Sequence, residues 1–83
     1  MPYDYDSEIL AQLTTHGLSP RPTTPPDFVR DYVSDLYRYE IRKLRRRLLA
    51  KQFPREEYSG RVIALRKRYW VLAVPTHLWV RSM

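Results

Sequence analysis

Two proline boundaries bracket the longest helical pattern in this sequence and leave it little choice of fold. Thr24-Pro25-Pro26-Asp27 reads as a helix start. It offers a hydroxyl cap, a proline where the missing N–H costs nothing, and a carboxylate three residues after the cap. Phe53-Pro54 reads as a stop, because a proline ring removes a helical hydrogen bond and clashes with the preceding turn. Between them, at about 100° per residue, Val29, Val33, Tyr37, Ile41, Leu44 and Leu48 fall in one narrow sector. A weaker seam of Tyr32, Leu36 and Tyr39 lies beside it. The pattern predicts one long helix over 25–53, fading near Gln52.

Pro54 with Glu56 and Glu57 has the proline and acids of a first turn, so a second helix is expected over 54–74. Tyr58, Val62, Leu65, Tyr69 and Leu72 line one face of it, and Ile63, Trp70 and Val74 the other. Gly60 is a weak point inside it. The short link between the two long helices folds them back as an antiparallel hairpin. Pro75 ends the second helix, and 75–83 continue as an extended or turn-like tail. Ahead of the hairpin, 1–24 form a leader. Its residues 7–18 suit a short helix, with Ser7 as cap, Glu8 at the positive end, and Gly17-Leu18 as the closing pair. A proline-rich connector, stiff and extended, comes next. The expected fold is therefore all-α: a short N-terminal helix, a Pro-rich connector, a long antiparallel helical hairpin and an extended C-terminal tail, in one small domain spanning 1–83.

Eighty-three residues give a marginal core, and small domains usually add a disulfide, a metal or a partner. The chain has no cysteine, so disulfides and thiolate metal sites are excluded, and two histidines are the only soft ligands. Docking or self-association remains. The leader helix is too short to persist unless it is docked. The start is acidic where a secretory leader needs basic residues, and no apolar run spans a bilayer, so the expected setting is cytoplasmic. The apolar stretch over 69–80 is interrupted by Pro75, Thr76 and His77.

Net charge is +6, and it is unevenly placed: −2 over residues 1–26 and +8 over 27–83. An acidic partner, whether nucleic acid, an anionic membrane or an acidic protein surface, is one expectation from that charge. The candidate partner-binding residues are Arg38, Arg42, Arg45 and Arg46 on the helix face away from the main stripe, the aromatics Tyr32 and Tyr39, and the tryptophans Trp70 and Trp79. Arginine pairs bidentately with phosphate or carboxylate, and aromatics with arginine concentrate at interface hot spots. The plain alternative for the arginines is a solvated face. Asp27, Asp31 and Asp35 come first and the bases last, as the helix dipole prefers.

Catalytic chemistry has little to stand on here. With two glycines there is no phosphate-cradling loop, and no nucleophile, base and acid occur at local spacing. No catalytic, cofactor-binding or metal-binding residues are assigned. The expectation is a non-enzymatic, soluble, basic helical protein-interaction module, either self-associating as an oligomer or serving as an accessory subunit. A nucleic-acid binder using the arginine face is the first alternative. A peripheral membrane-surface binder anchored through the tryptophans is the weakest.

Overall fold

The computed structural model describes residues 3–81. Every regular element in it is helical, as the sequence pattern predicts: α1 is Ser7–Thr15, α2 is Pro26–Leu49 and α3 is Tyr58–Arg68. Short 3₁₀ turns occupy Arg55–Glu57, Trp70–Ala73 and Thr76–Leu78. The molecule is a rod of 50 × 17 × 16 Å with a radius of gyration of 15.2 Å. A compact domain of this length would have a radius near ~12 Å. The rod runs along α2, which at 1.5 Å per residue accounts for about 36 Å of its length.

The helix ends show how local chemistry sets the boundaries. Asp6, one residue before the expected Ser7, caps α1, its carboxylate accepting from the amides of Glu8 (2.9 Å) and Ile9 (3.4 Å). At the other end Gly17 takes φ +77°, while Leu18 N–H reaches the Leu13 carbonyl and Gly17 N–H that of Thr14. This paired closure satisfies carbonyls a helix end leaves free. Helix α2 starts at Pro26 with Pro25 as cap. Thr24 does not cap it; its hydroxyl accepts from Arg21 N–H at 3.0 Å and closes a tight turn, so the connector is folded rather than simply extended. The far end of α2 closes at Leu49, short of Gln52, by the same paired bonds as α1. There Lys51 adopts φ +58°, a conformation glycine would take more readily.

The second helix is the main departure from expectation. It does not run unbroken over 54–74. Arg55–Glu57 is a 3₁₀ turn, α3 covers Tyr58–Arg68, and Tyr69 breaks the helix with φ −109°, ψ 35°. The cause lies in the leader. In a continuing α-helix the Arg68 carbonyl would accept from Leu72 N–H. That oxygen is instead taken by the Gln12 amide at 2.5 Å and by His16 Nε2 at 2.9 Å, and Leu72 N–H turns to Tyr69. Pro75 then forces Val74 into an extended conformation.

The tail differs too. After the single turn Thr76–Leu78 it lies antiparallel to the N-terminal segment: Asp6 N–H donates to Trp79 O (2.8 Å) and Arg81 N–H to Asp4 O (2.7 Å), with Tyr5 bridged to Val80. The leader is therefore docked. Tyr5, Ile9 and Leu13 join Val29, Val33, Leu65, Tyr69, Val71 and Trp79 in one core at the proximal end of the rod. Burial pushes the Tyr5 hydroxyl above its ordinary range, with Tyr3 adding to the effect, and that hydroxyl donates to Thr24 O at 2.6 Å. Distally the hairpin has only a thin core. Leu44 and Phe53 are buried there, and the Phe53 ring lies under the guanidinium groups of Arg61 (4.3 Å) and Arg47 (5.7 Å).

Candidate interaction surface

The apolar stripe of α2 decides which of its faces can meet anything else. Val29, Val33 and Leu44 are buried against the rest of the chain, and Tyr37 and Ile41 are half-buried beside the core. The opposite side is open. Arg38, Arg42, Arg45 and Arg46 are all exposed on it, together with Tyr32 (55% exposed) and Tyr39 (54%). The seam expected of Tyr32, Leu36 and Tyr39 thus splits: Leu36 turns inward to the core and the two tyrosines turn outward.

Phe28, 73% exposed, belongs to the same open face and is not among the candidates read from the sequence. A signal for it exists there. At about 100° per residue it lies roughly 160° from Leu44, the direction of solvent. Phe28 and Tyr32 form one wall of an open groove of about 540 Å³ whose other wall is the connector, including Leu18, Pro20 and Pro25.

The tryptophans separate. Trp70 is 36% exposed and lies beside Thr15, His16 and Lys67, partly covered by the leader. Trp79 is wholly buried, so it is not available to a partner in this structure. Its indole N–H donates to Val74 O at 2.9 Å, which accounts for the one polar atom an interior tryptophan must satisfy. A free tail would have exposed it; the paired tail does not.

Charge is segregated along the rod. Residues 38–68 hold twelve of the fifteen bases and three of the nine acids, a net +9; the remainder carries −3. Among the described residues only two ion pairs form, Arg38–Asp35 at 3.7 Å and Arg61–Glu57 at 3.0 Å. Both are solvent-exposed and contribute about 0–1 kcal/mol each. Arg42, Arg45 and Arg46 have no acidic partner within the described chain. A smaller crevice between the hairpin helices is lined by Lys43, Arg47, Arg61 and Arg68 with a single acid, Glu40.

His16 has a structural position. Its ring stacks on Tyr69 (4.2 Å between centroids, 20° between planes), and Tyr69 meets Tyr37 edge-on at 5.4 Å. The row ties leader, α3 and α2 together, and burial, reinforced by Glu40 and opposed by Arg68, raises the Tyr69 hydroxyl above its usual range. Among the described residues no three His, Asp or Glu side chains gather to hold a metal ion, and no helix is long and apolar enough to cross a membrane. Comparison with protein-family models, curated proteins and solved structures finds no match.

Proposed function

We propose that this chain is a non-enzymatic interaction module that docks the outer face of α2 on a protein surface, its own or another chain's. The observation that carries this reading is the mixed chemistry of that face. Exposed Phe28, Tyr32 and Tyr39 share it with three acids and four arginines. A surface that tracks phosphates gains from bases alone, and Asp27, Asp31 and Asp35 would repel a polyanion laid along the helix. Aromatics flanked by charges of both signs suit a protein interface, where aromatic anchors supply affinity and charge pattern sets register.

The second reading, a polyanion binder, is supported by a different feature: the +9 distal half and the basic crevice around Arg47 and Arg61. Sedimentation velocity separates the two, run on the parent and on Arg42→Glu/Arg45→Glu, with and without a single-stranded oligonucleotide, at two salt concentrations. The expected result is protein assembly that persists at moderate salt and is lost in the variant, whose thermal melt shifts by no more than about 1 kcal/mol because both sites are exposed. Nucleic-acid binding should be weak and fall steeply with salt as counterions are released. A monomer that holds the oligonucleotide tightly above physiological salt would overturn the proposal in favour of the second reading.

A further inference from the structure

The outer face of α2 carries two parallel strips. On one flank stand Asp27, Asp31, Asp35, Arg38, Arg42 and Arg45, all exposed, spaced by four, four, three, four and three residues. At about 100° per residue they stay within a sector of roughly 80°. On the other flank stand Phe28, Tyr32, Tyr39, Lys43 and Arg46, also exposed. The first strip is acidic in its N-terminal half and basic in its C-terminal half, so its charge pattern is complementary to its own reverse.

We infer that the occupant of this face is a second copy of the same chain, its α2 running antiparallel across a two-fold axis level with residues 36–37. Two antiparallel helices related this way bring each flank against the same flank of the other copy. The axis then sets Asp27 against Arg45, Asp31 against Arg42 and Asp35 against Arg38 of the second copy. At 1.5 Å per residue every one of these pairs matches in height to within about 2 Å. On the other flank the same axis sets Phe28 near Arg46 and Tyr32 near Lys43, a cation over an aromatic ring in each case. A parallel two-fold pairing would instead set each strip against the other strip, bringing Arg42 and Arg45 beside Lys43 and Arg46 of the second copy, base on base. The antiparallel pairing also carries the two +9 halves to opposite ends of the assembly, which relieves the repulsion between two chains of charge +6. Such an interface is isologous and closed, giving a dimer rather than a fibre. It is one helix wide, at the small end of stable interfaces, so its affinity belongs in the micromolar range.

This inference rests on the proposal that the α2 face is an interaction surface, and the test keeps the two apart. Two variants are made, Asp27→Lys/Asp31→Lys/Asp35→Lys and Arg38→Glu/Arg42→Glu/Arg45→Glu, and each is checked for helicity. The parent should dimerise reversibly, each variant alone should remain monomeric, and an equimolar mixture should form a heterodimer, because the reversed strips are now complementary to each other. A parent that stays monomeric at every concentration overturns the inference, while the face remains open to docking on a different protein. A dimer that persists in both variants also overturns it, since assembly then uses another surface. Should a triple variant fold poorly, Asp31→Cys/Arg42→Cys supplies the same test in a chain that otherwise lacks cysteine. The two positions are about 16 Å apart along one helix, too far for an internal disulfide. Mild oxidation should give a closed covalent dimer without free thiol. Monomer alone, or an open ladder of higher species, contradicts the register.

Discussion

Trp79→Ala removes the side chain that joins the most parts of this molecule. The indole is wholly buried in the proximal core, which gathers residues of the leader, α2, α3 and the tail, and its N–H satisfies Val74 O. Truncating a buried tryptophan to alanine costs about 3–5 kcal/mol through lost transfer energy and the cavity left behind. The freed Val74 carbonyl adds little, because Val74 is only half-buried and water can reach it. Total stability for 83 residues is of the order of 4–12 kcal/mol. The variant should therefore lose a quarter or more of it, and a parent at the low end of that range would unfold outright. Urea titration followed by circular dichroism measures the loss, and Trp79→Phe, which keeps most of the volume, should recover more than half. Fluorescence adds a second readout, since Trp70 is the only other tryptophan and is partly exposed. The variant's emission should shift to the red of the parent's. An alanine variant within about 0.5 kcal/mol of the parent would refute the placement of the tail against the leader.

Gly60→Ala should stabilise the chain by about 1 kcal/mol, because the position is an exposed helical residue in the first turn of α3 and no neighbouring group lies within 4 Å of the added carbon. In a domain of this size that is a rise in Tm of about 4–8 °C by calorimetry, and a fall would show that α3 is not helical at this point. Alkaline pH should destabilise the fold through Tyr5 and Tyr69. Burial raises both hydroxyls in the folded state above the ordinary value of 10.0, so the folded protein keeps those protons after the unfolded chain has released them. Their contribution is whole below pH 10 and is lost as pH climbs through the folded values. The urea midpoint should fall as pH climbs through that range, and fall less in Tyr5→Phe/Tyr69→Phe; an equal fall in parent and variant would contradict it.

The helical skeleton is readable because it obeys local rules. Proline positions and a period of 3.6 residues place α2 and its buried stripe, and Gly17 marks the end of α1 through its positive φ. What escapes the sequence is what depends on contacts between distant segments. The break after Arg68 is made by Gln12 and His16, more than fifty residues earlier in the chain. No local pattern encodes which carbonyl a glutamine far away will seek. The burial of Trp79 has the same origin, since it depends on the N-terminal strand-like segment pairing with the tail. The exposed face of α2 stands midway. Its arginines and tyrosines can be placed outward by periodicity, but Leu36 turns in where Tyr32 and Tyr39 turn out, because the connector and core fill one side of α2 and not the other.

If the outer face of α2 is the surface that another protein chain covers, side-chain footprinting reads that face directly. Hydroxyl-radical oxidation of the parent, compared between dilute and concentrated solutions and read by mass spectrometry, scores each exposed aromatic separately. Concentration should protect Phe28, Tyr32 and Tyr39, while Trp70 and Leu78, exposed away from that face, keep their reactivity. Protection at Trp70 or Leu78 with the three α2 aromatics unchanged, or no dependence on concentration at all, would contradict assembly through α2.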